Sequence, residues 1–359
     1  MVKMKKRIKE ISLQFGLVCL TVILTIFCLE LIFYMKSKPE DTSRKTFRHK
    51  YEVVKRDGYK DNLDLYQKER RHKLGRLYEI FSETKHQMYF GDEILWEKKY
   101  TTDQLGRRIT GVEEKRKYHL LFFGGSYVFG DGLDDNATLP YLVSQKNSSI
   151  HSYNYGNSGS TTSHMYVQLQ NFIESDQILE KLGAAIYVYN DFHIDRNIGA
   201  MFPISWNEGN APYLFIDENN ELVADGKFYS NRYFTTQLYK LLNNSYTLRY
   251  FKVNLPLTSL TPRAFFHPLL FKIIKSSFEI YKEKFQSDNF IVLIYPGNTG
   301  NEKLIDFLRE NNIKYFDYSK LFDGYDLSTL RYNDGHPNLK ANELVASKIL
   351  KDLSLYLND

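Results

Sequence analysis

Residues that could carry out acyl transfer lie at two distant places in this 359-residue chain. Ser126 follows Gly124 and Gly125, so its hydroxyl lies on a tight turn where glycines leave backbone N–H groups exposed. Asp334 and His336 lie close together near the C-terminus. A hydroxyl nucleophile, an imidazole base and a carboxylate that orients the base are the groups that covalent acyl transfer needs.

Two further segments supply groups that could stabilise a negatively charged oxygen. Asn154–Gly159 combines amide side chains with two glycines, and Asn190 precedes Asp191. Backbone N–H groups and side-chain amides are the usual donors to an oxyanion. Each segment alone is typical of an ordinary turn or helix cap. Their order along the chain and their position after apolar runs favour a common site.

Short apolar runs precede these polar segments and are typical of buried parallel strands. Helical patterns lie between several of the runs, and the chain ends with a helical pattern over Leu339–Leu357. This alternation predicts an α/β fold, a three-layer sandwich with a mostly parallel five-stranded sheet. Ligands of such sheets bind beyond the carboxyl ends of the strands, so the polar residues are expected on one edge. The predicted strands are Tyr118–Phe123, His151–Tyr155, Ala184–Tyr189, Phe290–Tyr295 and Ile313–Tyr318.

Four segments in chain order resemble the sequence blocks of the SGNH (GDSL-like) hydrolases. Leu121–Gly132 is similar to the first block, in its Gly-Gly-Ser form, and Asn154–Gly159 is similar to the second. Val188–Asp191 resembles the third block and Asp334–Asn338 the last. Tyr100–Arg108 also resembles a segment that often precedes the first block. The resemblance covers about residues 101–350 and implies a serine hydrolase with an SGNH or flavodoxin-like sheet.

The resemblance also implies a role for each matched residue. Ser126 would be the nucleophile, His336 the base and Asp334 the carboxylate that orients the base. The N–H groups of Ser126 and Gly159, with the side-chain amide of Asn190, would form the oxyanion hole.

Two positions depart from the family pattern. Gly125 replaces the aspartate of the Gly-Asp-Ser motif. The last block has Asp and His two positions apart, whereas the family spacing would place the acid at Asn333. We assign the acid to Asp334, with Asn333 as the alternative.

Other candidate residues have simpler interpretations. Asp191, His193 and Asp195 alternate as metal ligands can, but no second ligand cluster accompanies them, so a solvated loop is expected. His164 is expected on a helix surface and Trp206 in ordinary packing. The sequence therefore predicts neither a metal nor a cofactor.

Residues 11–35 form an apolar run long enough for a helix to cross a membrane. A cleaved signal peptide would have a shorter apolar region, so an uncleaved anchor is expected, after a cytoplasmic tip at 1–10. Basic residues flank both sides of the run, and the long downstream part favours an extracytoplasmic catalytic domain. Glu30 would lie near the outer end of the helix.

Charge is unevenly distributed along the chain. Residues 1–117 carry 27 Lys and Arg against 17 Asp and Glu, whereas residues 118–359 carry 21 against 26. A basic region beside a membrane segment fits an anionic leaflet or polymer. No nucleic-acid-binding motif accompanies it, so nucleic acid is not the expected partner.

The predicted domains are a basic connecting region at 36–117, packed on an SGNH hydrolase domain at 118–359 with an insertion at about 197–260. The predicted function is a membrane-anchored serine esterase or O-acyl(acetyl)transferase acting on acyl esters of a cell-surface glycan or lipid. A non-catalytic glycan-binding or assembly protein that keeps the fold is the alternative.

Overall fold

The computed structural model describes residues 2–41, 47–56, 61–75, 77, 82–90, 92–256 and 266–357. Parts of the predicted connecting region and of the predicted insertion lie outside the described residues. The first elements of the chain are α1 (Val2–Asp41), β1 (Phe47–Arg56), α2 (Asp61–Leu74), β2 (Ser82–Phe90) and β3 (Glu93–Thr101).

Strands and helices alternate from residue 118 onward. The strands are β4 (Tyr118–Phe123), β5 (Ile150–Asn154), β6 (Leu182–Tyr189), β7 (Pro212–Ile216), β8 (Leu222–Lys227), β9 (Phe290–Ile294) and β10 (Lys314–Asp317). The helices are α3 (Ser126–Phe129), α4 (Leu139–Lys146), α5 (Thr162–Asn171), α6 (His193–Asn197), α7 (Met201–Asn207), α8 (Phe228–Asn231), α9 (Tyr233–Leu242), α10 (Tyr246–Tyr250), α11 (His267–Phe285), α12 (Glu302–Glu310) and α13 (Leu339–Leu353).

The central sheet has five strands in the order β5-β4-β6-β9-β10, and every neighbouring pair is parallel. Counted along the chain this is the order 2-1-3-4-5 of flavodoxin-like sheets, whose ligands bind where the order reverses. The reversal lies between β4 and β6. The predicted α/β fold and its five strands are therefore confirmed.

Helices cover both faces of this sheet, because its strands are apolar on both sides. On one face Leu120 and Phe122 of β4 pack with residues of α4 and α13. On the other face Leu121 and Phe123 pack with residues of α5, α11 and α12. The alternation of neighbouring side chains between the two cores produces the three predicted layers.

The N-terminal third contains a sheet that the sequence pattern did not predict. Strands β1, β2 and β3 pair antiparallel in chain order. The segment after β3 joins this sheet to the part that holds the central sheet through Arg108, whose side chain is fully buried against the Tyr100 ring. Its guanidinium contacts Asp135 at 2.8 Å and donates to the carbonyls of Phe129 and Gly130 at 3.0 and 2.6 Å.

Residues 197–256 lie between β6 and α11 and hold the helices α7 to α10 with the β7–β8 hairpin. Met201, Ile204, Phe228 and Tyr239 form a small core of their own there. This part packs beside the central sheet and adds no strand to it.

We expect Arg108→Met to lower the free energy of unfolding by about 3–5 kcal/mol, because it leaves buried carbonyl groups and the Asp135 carboxylate without their donor. The matched variant Arg309→Met removes an exposed ion pair and should cost about 1 kcal/mol or less. Chemical denaturation followed by intrinsic fluorescence measures both. Equal losses in the two variants would contradict the role given to Arg108.

Candidate active site

The turn after β4 carries Ser126 as the first residue of the short helix α3, and the serine is buried. Gly125 precedes Ser126 and lies in close contact with the loop after β5. A Cβ atom at Gly125 would lie 3.0 Å from the carbonyl oxygen of Ser160 and 3.4 Å from Nη1 of Arg196. The absence of a side chain at Gly125 therefore allows two loops to meet beside the serine.

Asp334 and His336 form a close pair in the turn before α13. Nδ1–H of His336 donates to Oδ2 of Asp334 at 2.8 Å, and the backbone N–H of His336 donates to Oδ1 at 3.1 Å. Both carboxylate oxygens thus hold the same histidine, and Nε2 stays available for a second partner. The described contact to His336 is made by Asp334, not by the alternative Asn333.

Tyr127 connects the serine turn to this pair. Its hydroxyl donates to the carbonyl oxygen of Gly335 at 3.1 Å, and its ring packs edge-on against the imidazole of His336 with centroids 5.7 Å apart. Because Tyr127 is the neighbour of Ser126, the turn that carries the serine contacts the turn that carries Asp334 and His336, although 210 positions separate Ser126 from His336 in sequence.

The electrostatic surroundings favour a protonated His336. Burial disfavours its charged form, but the hydrogen bond to Asp334 and the charges of Asp131 and Asp334 outweigh burial and raise the pKa of His336. Arg196 acts in the opposite direction on the same pKa. An imidazole with a raised pKa is a stronger base once it is neutral.

Asp131 was not singled out in the sequence, although it lies inside the first block. It is buried, its Oδ2 accepts a hydrogen bond from Ser158, and its Oδ1 has no partner among the described residues. A buried carboxylate beside His336 could have been suspected from the Gly-Asp-Gly motif, but the sequence did not show that its charge reaches the imidazole.

Asn190 lies at the carboxyl end of β6, across the reversal point from Ser126, and is buried. Its Oδ1 accepts from Nδ2 of Asn298 at 3.5 Å, which directs the amide so that Nδ2 of Asn190 remains a donor. Asn298 is itself fixed, because its Oδ1 accepts from the N–H of Asp191 at 2.7 Å. No sequence pattern pointed to Asn298.

Gly159 lies beneath the indole of Trp206. A Cβ atom at Gly159, whose φ is +80°, would lie 2.5 Å from Cη2 of that ring. Trp206 is 46% exposed, and its ring packs over Gly159 and beside the guanidinium of Arg196.

Sequence reasoning also missed Arg196. Its guanidinium stacks on Phe192 at 4.5 Å and on Trp206 at 5.5 Å, and it donates to the carbonyl oxygen of Ser160 at 3.3 Å. Burial lowers the pKa of Arg196 to about 10, so the group is still charged at neutral pH. A cation thus lies beside the candidate nucleophile.

Two histidines expected near the surface are buried instead. His193 was expected in a solvated loop, but it is fully buried below Gly125 and hydrogen-bonds Tyr187 through Nδ1 at 2.7 Å. His164 was expected on a helix surface, but its Nδ1 accepts from the N–H of Thr161 in a helix cap. Burial lowers the pKa of both, for His164 to about 3. Among the described residues no cluster of His, Cys, Asp and Glu could hold a metal ion.

No family model and no curated protein matches this chain. Among solved structures it is similar to a member of the lipolytic G-D-S-L family from Veillonella parvula, at 13% identity and a TM-score of 0.39, over 65% of this chain and 97% of the other. It is also similar to a psychrotrophic esterase from a Pseudoalteromonas species, at 15% identity and a TM-score of 0.37, over 68% of this chain and 100% of the other. An acetylxylan esterase from Geobacillus stearothermophilus matches at 12% identity and a TM-score of 0.37, over 67% and 96% of the two chains. These TM-scores are low, so the likeness by itself assigns no activity to this chain.

The charges around His336 predict opposite effects for two neutralising substitutions. Asp131→Asn removes a negative charge and should lower the pKa of His336, whereas Arg196→Gln removes a positive charge and should raise it. NMR titration of the His336 ring protons, assigned through His336→Gln, measures the shift without any substrate. Asp306→Asn, on an exposed helix, is the control that should leave this pKa unchanged. Shifts of the same sign in both site variants would contradict the placement of these charges.

Proposed function

We propose that this chain is a membrane-anchored serine hydrolase of the SGNH type, an esterase or O-acyltransferase. The observation that supports it most is the Asp334–His336 pair packed against Tyr127, the neighbour of Ser126. In the proposed triad Ser126 is the nucleophile, His336 the base and Asp334 the group that orients the imidazole.

The first half-reaction transfers the acyl group to the enzyme. Ser126 Oγ attacks the ester carbonyl while Nε2 of His336 takes the hydroxyl proton. Asp334 holds the proton on Nδ1, which keeps Nε2 free as the acceptor and stabilises the imidazolium that forms. The C–O bond of the ester then breaks, and His336 gives its proton to the departing alcohol.

The second half-reaction releases the acyl group to a second acceptor. A water molecule or a sugar hydroxyl loses its proton to His336 and attacks the acyl-serine, and Ser126 recovers a proton from His336. Water gives hydrolysis and a sugar hydroxyl gives acyl transfer. The same residues serve both reactions.

The proposed oxyanion hole consists of the N–H groups of Ser126 and Gly159 and the side-chain amide of Asn190. None of these three donors has an acceptor of its own in the described part of the chain. The orientation of Asn190 by Asn298 supports a preorganised amide donor, which acts without reorganisation during the reaction.

We propose acyl esters of a cell-surface glycan or lipid as the substrate class. Support comes from α1, in which Leu13–Lys36 is long and apolar enough to cross a membrane with a mean hydropathy of 2.6. The short basic tip before it and the long part that follows favour an extracytoplasmic site. The half-exposed ring of Trp206 offers a flat apolar surface beside Gly159 for a sugar ring or an acyl chain.

We expect Ser126→Ala to abolish turnover of p-nitrophenyl acetate while the protein stays folded, because the side chain that carries the acyl group is gone. Ser347→Ala, which removes an exposed serine of α13, should keep the parent rate. Wild-type turnover in Ser126→Ala would contradict the proposed nucleophile. An inactive parent protein, tested on a panel of acyl esters and acetylated sugars, would favour the alternative of a non-catalytic glycan-binding or assembly protein.

Asn190→Ala should lower kcat by about 10²–10³ with little change in KM, because an oxyanion donor acts mainly in the transition state. Asn298→Ala should cause a smaller loss of the same kind, since Asn298 acts through the orientation of Asn190. Steady-state kinetics of both variants measure the split between kcat and KM. A change confined to KM would contradict the oxyanion role.

A further inference from the structure

Glu30 of α1 binds the start of α10 in the part inserted after β6. Its carboxylate accepts hydrogen bonds from Oγ of Ser245 at 2.5 Å, from the N–H of Tyr246 at 2.8 Å and from the N–H of Thr247 at 3.3 Å. These donors are the free N–H groups of a helix start and its cap residue. This contact explains why an acidic residue lies in the apolar helix α1: Glu30 holds the start of α10 against it.

Aromatic side chains extend this contact along the same two helices. The ring of Phe33 packs against Tyr250 and Phe251 with centroids 4.6 and 5.2 Å apart, and Nζ of Lys36 lies 5.7 Å from the Tyr250 ring. Aromatic rings with a lysine at the end of an apolar helix are typical of the membrane–water interface.

The position of Glu30 sets the depth of α10, given the proposed membrane anchor on which this inference rests. Glu30 lies inside the apolar span Leu13–Lys36, and six residues at a rise of 1.5 Å place it about 9 Å before the Lys36 end. The start of α10 contacts this level of α1 directly. Given that anchor, the start of α10 lies at the boundary between the lipid headgroups and the acyl chains and not in bulk water.

Helix α9, which ends just before α10, turns an apolar side outward. Phe234, Leu238 and Leu241 are spaced at i, i+4 and i+7, so they share one face, and Phe234 is 87% and Leu241 69% exposed. We call these three residues, with Tyr250 and Phe251, the insertion face. Soluble surfaces rarely expose so many large apolar side chains together.

We propose that the insertion face lies in the interfacial region of the bilayer leaflet from which α1 emerges, with phospholipid as its partner. The insertion face adjoins the contact between α10 and the end of α1. It therefore lies next to the end of the proposed membrane helix. The buried side of α9 packs on α7 through Tyr239, and Ser205 of α7 donates to the Tyr239 carbonyl oxygen at 3.3 Å. Trp206 of α7 covers Gly159, so the bilayer would hold the candidate active site at its surface.

The test uses the full chain in phospholipid vesicles, with Cys19 and Cys28 replaced by Ala and one new cysteine carrying an NBD fluorophore. The label is placed through Phe234→Cys or Leu241→Cys on the insertion face. Leu355→Cys is the matched control, because Leu355 is 77% exposed near the C-terminus. Val22→Cys, in the middle of α1, reports on the anchor itself. Quenching by phosphatidylcholine with a doxyl group near the headgroup end of the acyl chain, or near its terminal methyl, gives the depth of each label.

We expect the shallow quencher to act several-fold more strongly on labels at 234 and 241 than at 355, and the deep quencher to act on the label at 22. Quenching at 22 with labels at 234 and 241 no more quenched than at 355 would overturn this proposal and leave the anchor intact. A blue-shifted but unquenched label at 241 would overturn it in favour of a protein partner or a second copy. No quenching at 22 would overturn the anchor, and with it the proposed depth of the face.

Discussion

The hydrogen bonds between Asp334 and His336 are the interaction on which the candidate site depends. A buried imidazole without a partner would be neutral and free to rotate, as burial alone disfavours its charged form. Both oxygens of Asp334 hold the same residue, one through the backbone and one through the ring. The ring orientation and the tautomer of His336 follow from this pair, which together with the charge of Asp131 also raises the pKa of His336.

The parallel sheet brings the segments of the candidate site to one edge, because all of its strands end there. The turn after β4 carries Ser126, the loop after β5 packs on it, and β6 ends in Asn190. Tyr127 then contacts the turn before α13. No single loop contains the site. The fold supplies the geometry, and each loop contributes one or two groups.

The sequence predicted the sheet well, since buried parallel strands leave continuous apolar runs that stand out from their surroundings. It also placed the four motif segments, whose glycines and amides occur at fixed spacings. It could not predict Arg196, Asp131 or Asn298, because their importance comes from neighbours distant in sequence. The expectation that His193 lies in a solvated loop was wrong, because its ring is fully buried. A histidine between two aspartates in sequence does not indicate that its ring points into the core. The antiparallel sheet of β1 to β3 was missed because its strands are polar and only partly buried where described.

The central claim is that Ser126 is an activated nucleophile served by His336, and covalent labelling tests it most directly. A fluorophosphonate probe forms a stable phosphonyl ester only with such a serine. Mass spectrometry of the digested protein should find one adduct, on Ser126, formed faster as the pH rises through the raised pKa of His336 and the imidazole becomes neutral. An adduct on another residue, or no adduct on the folded protein at any pH, would contradict the account.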